Sequence, residues 1–364
     1  MGDRTAAPAR TASTTSAIVP SAGHAPVVPA VERVAAGTAP GRPTWSVVIP
    51  VHNCADYLAQ ALAVVVAELA DRDDVEILVL DDASSDDPAR VVTRLGQGRV
   101  QYRPNPAHLG AVGTFNRCLQ LATGELVHLL HGDDMVLPGF YRAMERALAD
   151  PATVAAVCRV QDVDAANVAT YVTRSYRHGT GIWTDALEAF AVSNRVRAPG
   201  IVVRRSAYER VGGYRTDLPH AADWEMWTRL AASGPLVFVD EVLACYRRHD
   251  ASDTSARVRT GANVRERVRA IGVVGGHVPP SRRTATTRRA LAFSVVFAGR
   301  TAVSLARTGS WSAAGRQVFE ALRCAWLLPR GVPVQPQPAV TGAEDRRAGT
   351  VVGPGGERDR KMNR

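Results

Sequence analysis

Four short apolar runs, alternating with segments of helical periodicity, constrain the fold of this 364-residue chain more than any other feature. They occupy residues 45–49, 75–80, 100–102 and 125–130. Between the first two, Leu58, Leu62, Val65, Val66 and Leu69 recur three and four apart, as on one face of a helix. Asp86 or Asp87 caps a second helix with Pro88 in its first turn, residues 110–122 read as a third, and Pro138 opens a fourth that runs to about residue 149. Consecutive parallel strands need a crossover, so this order predicts an α/β, doubly wound, mostly parallel sheet with helices on both faces. Ligands of such sheets bind beyond the carboxyl ends of the strands. Three loops fall at that edge: Pro50-Val51-His52-Asn53, Asp81-Asp82, and the loop from His131 to Asp134. Further along, residues 200–204 read as a strand, 223–233 as a helix, 236–239 and 242–246 as a pair of strands, and about 265–328 as helical and basic.

Two of these loops carry adjacent aspartates, Asp81-Asp82 and Asp133-Asp134. Neighbouring carboxylates repel, and a divalent cation that relieves the repulsion usually grips a substrate phosphate as well. Other phosphate chemistries are excluded. Lys361 is the only lysine, which removes P-loop, Schiff-base and kinase-type mechanisms. The first strand is followed by Pro50-Val51-His52-Asn53 rather than Gly-x-Gly-x-x-Gly, which removes a dinucleotide-binding Rossmann site. Five widely spaced cysteines without a Cys-x-x-Cys argue for free thiols in a reducing compartment.

Charge divides the chain. Residues 43–250 carry 20 arginines against 26 acids, whereas residues 251–364 carry 19 arginines and one lysine against seven acids. An acidic body with a basic tail does not suit a duplex-binding protein, and no nucleic-acid partner is expected. It suits an enzyme with a surface for an anionic partner, a phospholipid face or a phosphorylated acceptor. The predicted organisation is a disordered extension over 1–42, a catalytic domain over 43–255, a basic helical extension over 256–330 and a disordered tail over 331–364. The longest apolar window, residues 290–299, is about half a membrane span, so no transmembrane helix is expected. The basic helices either associate peripherally with an anionic membrane or form a hairpin against the catalytic domain. The expected location is the cytoplasm or the inner face of the plasma membrane.

Five segments, in order, resemble glycosyltransferase family 2. Ser46-Val47-Val48-Ile49-Pro50-Val51-His52-Asn53 is similar to its opening strand and loop, and Leu80-Asp81-Asp82-Ala83-Ser84-Ser85-Asp86 to its second signature. The stretch from Gly124 through Gly132-Asp133-Asp134 to Gly139 resembles its metal-binding segment. Ala222-Asp223-Trp224-Glu225-Met226-Trp227 resembles its catalytic-base helix, and Tyr246-Arg247-Arg248-His249 the segment that closes the site. The resemblance covers about residues 44–255. It implies a GT-A fold, a nucleotide-sugar donor, Mn2+ or Mg2+, and inversion at the anomeric carbon.

It also implies roles. Asp134 would ligate the metal, Asp133 would help through the donor ribose or a metal-bound water, and His249 would ligate the metal or contact the diphosphate. Pro50, His52, Asn53 and Arg248 fall on the donor. Asp82 would read the base: a carboxylate favours a base with a ring N–H, and the family uses this aspartate on uracil, so UDP- or dTDP-sugars are favoured. Asp223 would be the general base, the alternative being a helix cap. Trp227, one turn on, and Glu225 would contact a carbohydrate, lipid-linked or small-molecule acceptor, the alternative for Trp227 being a core position. Asn116 or Arg117 would face the nucleotide. The sequence departs from the family at two places: Gly132 stands where a further aspartate usually lies, with His131 before it, and Ala222 replaces the glutamate before the base. Polysaccharide, glycolipid or glycosylated-metabolite synthesis fits this reading. A nucleotidyltransferase and a non-catalytic sugar-nucleotide binding module are the alternatives.

Overall fold

The computed structural model describes residues 28–34, 41–249 and 253–335. In chain order its elements are β1 (Trp45–Val51), α1 (Ala55–Glu68), β2 (Val75–Asp81), α2 (Pro88–Leu95), β3 (Val100–Pro104), α3 (Gly110–Leu121), β4 (Leu126–Leu129), β5 (Met135–Val136), α4 (Phe140–Ala147), β6 (Ala155–Val163), β7 (Ala169–Val172), β8 (Gly181–Ile182), α5 (Ala186–Val192), β9 (Ile201–Arg204), α6 (Arg205–Val211), α7 (Ala222–Ser233), β10 (Leu236–Arg247), α8 (Asp253–Thr260), α9 (Ala262–Val274), α10 (Pro280–Arg307) and α11 (Trp311–Leu327).

The strands join one sheet in the order β3-β2-β1-β4-β9-β6-β10-β5, with β7 on β6 and β8 on β10. The pairs β1–β2, β1–β4, β2–β3 and β6–β10 are parallel, and β9 runs antiparallel between β4 and β6. Every residue of β1 is buried because helices cover both faces of the sheet. One apolar layer gathers Leu58, Leu62, Val65 and Phe140, and the other gathers Leu119, Phe190, Met226 and Leu230.

Register aligns the loops. Val51 lies opposite Asp81, and Val48 opposite Leu129, so the three polar loops leave the sheet at one edge. The Gly132 N–H then reaches the Pro50 carbonyl at 3.1 Å. A Cβ at Gly132 would meet Val51 Cγ1 at 2.6 Å and Cys54 Sγ at 3.0 Å. The missing family carboxylate therefore has no room here: β1 packs where it would stand.

Three expectations change. The predicted pair of strands over 236–246 is one strand, β10, in which Asp240 and Glu241 mark a register shift along β6 rather than a turn. Its carboxyl end delivers Arg247, Arg248 and His249 to the same edge. Most of the predicted terminal extensions fall outside the described residues, but residues 28–34 pack on the domain. There Val31 is buried, the Pro29 carbonyl accepts from Gly213 N–H at 2.7 Å, and the Glu32 carbonyl accepts from Arg205 at 2.8 Å. Finally, α10 is long and apolar enough, by length and composition, to cross a membrane. One face of it, including Leu291, Ser294, Ala298 and Ala302, is nevertheless buried in protein.

The helical extension is clamped onto the catalytic domain. Val264, Val268, Ile271 and Leu291 share a buried cluster with Leu218, Ala221 and Trp224. At its centre the Glu225 carboxylate, wholly buried, accepts from Arg229 at 2.8 Å and pairs with His277 at 3.0 Å.

Candidate active site

Asp134 is a buried carboxylate at the carboxyl edge of the sheet. It is 1% exposed. The antiparallel pairing of β5 with β10 sets it beside Arg247, whose backbone N–H donates to its Oδ1 at 2.8 Å. Its Oδ2 is buried and accepts from nothing. Burial, and then the charge of Asp133, push its pKa well above the usual carboxylate range. Asp133 behaves oppositely. Burial alone would raise it, but His249, at 3.0 Å from its Oδ2, and His131 hold it below its ordinary value.

His131 completes the group. Its Nδ1 lies 3.7 Å from Asp134 Oδ2, and its ring stacks on Phe115 at 4.9 Å. Burial lowers its pKa, opposed by the charges of Asp133 and Asp223, so it favours the neutral form, which can ligate a metal. One ligand atom from each of His131, Asp133 and Asp134 can be chosen so that all lie within 4.8 Å. Two carboxylates, an imidazole and a buried oxygen with no donor form a donor set that a divalent cation fits. The sequence reading passed over His131 as a ligand, although it occupies the same loop.

Arg247, not Arg248, underpins these carboxylates. It is buried, and its guanidinium donates to the Asp133 carbonyl at 2.8 Å, to Asn167 Oδ1 at 2.6 Å and to Gln60 at 3.0 Å, while lying 4.5 Å from the Tyr57 ring centroid. The Arg248 side chain is 65% exposed and lies 3.7 Å from Asp162. It stands at the rim, where strand alternation turns residues 247 and 248 to opposite sides.

On the donor side, Asp82 is almost fully engaged. Its Oδ1 accepts from Leu109 N–H at 2.7 Å and Asn105 Nδ2 at 2.8 Å, and its Oδ2 accepts from Gly110 N–H at 2.9 Å with His108 Nδ1 at 3.0 Å. Burial would raise its pKa; the Leu109 N–H, Asn105, Thr114 and His108 outweigh it and hold the carboxyl below its usual value. It therefore anchors the start of α3, and of its side-chain partners Asn105 is buried whereas His108 is 57% exposed. His52 Nδ1–H donates to the Asp82 carbonyl at 2.8 Å, and its ring lies 4.4 Å from that of His108. Asn53, at φ +52°, staples the first loop to the second through Ser84 and Ser85. Pro50 contributes the carbonyl that receives Gly132. Asn116 is bound to both backbone polar groups of Tyr214 and does not face the edge.

Asp223 lies in the first turn of α7, within electrostatic reach of His131. Its Oδ2 accepts from Asn194 at 2.8 Å and its Oδ1 from Trp224 N–H at 2.6 Å. Burial raises its pKa; His220, these two donors and His131 pull it back. Asn194 lies in the 163–197 stretch, where no sequence pattern signalled it. Two expected acceptor residues are corrected. Trp227 is 2% exposed within the core, edge-on to Tyr214, and Glu225 is the inward clamp to Arg229 and His277. Trp227 is covered by the domain's own core beside Tyr214, and Glu225 by the extension, which brings His277 against it.

Residues 46–212 match glycosyl transferase family 2. The match marks this segment as a glycosyl transferase family 2 domain. An uncharacterized protein of Mycobacterium tuberculosis (strain CDC 1551 / Oshkosh) is 29% identical over 241 residues, covering 63% of this chain and 75% of that one. An uncharacterized glycosyltransferase of Nostoc sp. is 27% identical over 221 residues, covering 57% and 66%. Among solved structures, S. aureus TarS 1-349 in complex with UDP-GlcNAc superposes with a TM-score of 0.56 at 13% identity, over 79% of this chain and 92% of that one. Mannosyltransferase PcManGT from Pyrobaculum calidifontis, in complex with GDP-Man and Mn2+, superposes with a TM-score of 0.51 at 20% identity, over 78% and 88%. The glycosyltransferase thus has the GT-A architecture, extended by helices at its carboxyl end.

Proposed function

We propose that this glycosyltransferase transfers a sugar, with inversion, from a nucleoside-diphosphate donor to an acceptor hydroxyl in a divalent-cation-dependent reaction. The observation that carries the reading is the buried, unsatisfied Asp134 Oδ2, set beside Asp133 and His131, with Asp223 within electrostatic reach of His131. Asp134, Asp133 and His131 would hold Mn2+ or Mg2+, whose charge offsets the negative charge of the departing diphosphate; the chain has no nearby lysine to do so. Asp223, oriented by Asn194, accepts the acceptor proton as the acceptor oxygen bonds to the anomeric carbon. The bond from that carbon to the diphosphate breaks, and its electron pair leaves with the diphosphate. Burial raises the affinity of Asp223 for that proton. His249 and Arg247 hold Asp133 and its loop in place.

For the donor base, His108 is the mobile partner of Asp82. If it swings aside, Asp82 Oδ2 gains a free lone pair for the ring N–H of uracil or thymine. UDP- and dTDP-sugars therefore remain favoured. The guanine of GDP-Man in PcManGT offers the same ring N–H.

The outer face of the extension suits an anionic membrane surface. Trp311, Val318, Phe319, Leu322 and Trp326 form one stripe of α11, with Trp311 72%, Phe319 66%, Leu322 66% and Trp326 58% exposed, opposite the buried Ala313, Gln317, Glu320 and Cys324. Residues 253–335 contain 14 arginines and three acids, two of which, Glu266 and Glu320, are buried. Self-association through this face would bring like charges together, whereas anionic lipids complement it. This surface supports a location on the cytoplasmic membrane face, where nucleotide sugars and lipid-linked acceptors meet. Vesicles containing anionic lipid should carry the protein on flotation, and Phe319→Asp should release it; flotation independent of anionic lipid would reject this docking.

The catalytic reading is tested by Mn2+-dependent release of UDP from a panel of UDP-sugars. Asp223→Asn should retain UDP binding and lose about 10²- to 10⁴-fold in transfer. Near-normal transfer by that variant would remove Asp223 from the mechanism.

A further inference from the structure

Four arginines, Arg174, Arg195, Arg267 and Arg289, gather around Phe293, and Arg195 is next in the chain to the Asn194 that holds Asp223. Asn194, which holds Asp223, stands between Ser193 and Arg195 in the chain. Ser193 Oγ and Arg195 Nε are both buried and lack any hydrogen-bond partner. The Arg195 guanidinium lies 5.2 Å from the ring centroid of Phe293 on α10, and Arg267 lies 5.1 Å from the same centroid. Arg174 and Arg289 are within electrostatic reach of Arg195, and Arg195 is within reach of Arg267.

Among the described residues, none of these four arginines forms an ion pair. Their neighbours differ: Arg197 pairs with Asp162 at 3.0 Å, and Arg282 with Glu188 at 2.5 Å. The fold pairs the arginines on either side with carboxylates and leaves this group with none, Arg267 being held only by the neutral Ser294 Oγ at 2.7 Å, the Val192 carbonyl at 3.1 Å and aromatic rings. Burial, joined by the charge of Arg195, pushes Arg267 down to about 10, and burial with Arg174 and Arg289 lowers Arg195. Such a group destabilises the free protein until an anion occupies it.

We infer that Arg195, Arg289, Arg174 and Ser193 bind a phosphate group of the acceptor, so that the acceptor is a phosphate-bearing molecule whose reactive hydroxyl reaches Asp223. A single carboxylate would offset one of these charges; a phosphate offers up to two charges and several acceptor oxygens to the guanidinium forks. Beyond Phe293, α10 exposes Val296 and Phe297, an apolar path for a lipid tail on such a phosphate. The inference rests on Asp223 as the base, but the binding it predicts is measured without catalysis.

The test is calorimetric titration of the full chain with inorganic phosphate, glycerol 3-phosphate and farnesyl phosphate, with farnesol as the control. Phosphate-bearing probes should bind with an affinity that falls as salt rises. Arg195→Gln and Arg289→Gln should each weaken them about tenfold while UDP binding with Mn2+ stays unchanged. The Arg289 side chain is exposed, so its variant folds even if that of Arg195 does not. Farnesyl phosphate binding at least tenfold tighter than glycerol 3-phosphate identifies a lipid-linked acceptor; equal binding identifies a soluble one. The inference fails if phosphate-bearing probes bind no better than farnesol, or if both variants bind them as the parent does. Asp223→Asn should still bind these probes. If it also transfers sugar normally, the base assignment fails and the phosphate site stands.

Discussion

Glu225→Gln isolates the clamp between α7 and the extension. The wild-type carboxylate receives one charge-assisted bond from Arg229 at 2.8 Å and meets His277 at 3.0 Å, with no exposure to water. Glutamine keeps the shape but has one accepting oxygen. Its NH2 must then face one of the two former donors, and the Arg229 guanidinium, 5% exposed, loses its counter-charge. Leaving a buried charge uncompensated costs about 3–5 kcal/mol. Arg229 retains the Val211 and Gly213 carbonyls, which favours the lower end of that range. At roughly 2–4 °C per kcal/mol for a unit of this size, about 3 kcal/mol lowers the Tm by roughly 6–12 °C. The pH dependence has a definite sign. Burial would raise the Glu225 pKa, but Arg229 and His277 outweigh it and hold it below 4.5. Its stabilisation is therefore complete at neutral pH and declines once pH falls below about 4.5 toward the folded-state value. Thermal unfolding followed by circular dichroism should show the full gap between parent and variant at pH 7.5, and a shrinking gap in acid. A Tm within 2 °C of the parent at pH 7.5, accompanied by a raised acceptor KM, would return Glu225 to the acceptor and refute the clamp.

Asp134→Asn should abolish Mn2+-dependent UDP binding, at least a hundredfold by calorimetry. Because burial and Asp133 raise its pKa, protons compete with the cation, so parental Mn2+ affinity should fall as pH is lowered. Gly132→Ala pushes a methyl to 2.6 Å from Val51 Cγ1 and should cost about 1–3 kcal/mol of stability while weakening Mn2+-dependent UDP binding, read by Tm and titration. Trp227→Phe removes a buried Nε1 that has no partner, so transfer should stay within about twofold and stability within about 1 kcal/mol. A tenfold rise in acceptor KM would put Trp227 back at the sugar.

The order of strands and helices through residue 149 was legible because apolar periodicity is a local property, and a parallel sheet sends every strand's carboxyl end to one edge. That topology was enough to bring Asp82, Asp133 and Asp134 together, and their adjacency was enough to call for a cation. The resemblance added Asp223. Packing decided the remainder. His131 joined the carboxylates because the Gly132 backbone lies against β1, and Arg247 replaced Arg248 because one residue along a strand reverses the side. Asp82 is engaged by α3 because the chain returns there through residues 105–110, a contact no local pattern encodes. Trp227 is interior because its side of α7 packs into the domain core beside Tyr214, and Glu225 because the extension brings His277 against the same helix. Arg195 gained its meaning the same way: alone it is one arginine of many, and only the folded chain sets it against Phe293 with three others and no carboxylate paired to them.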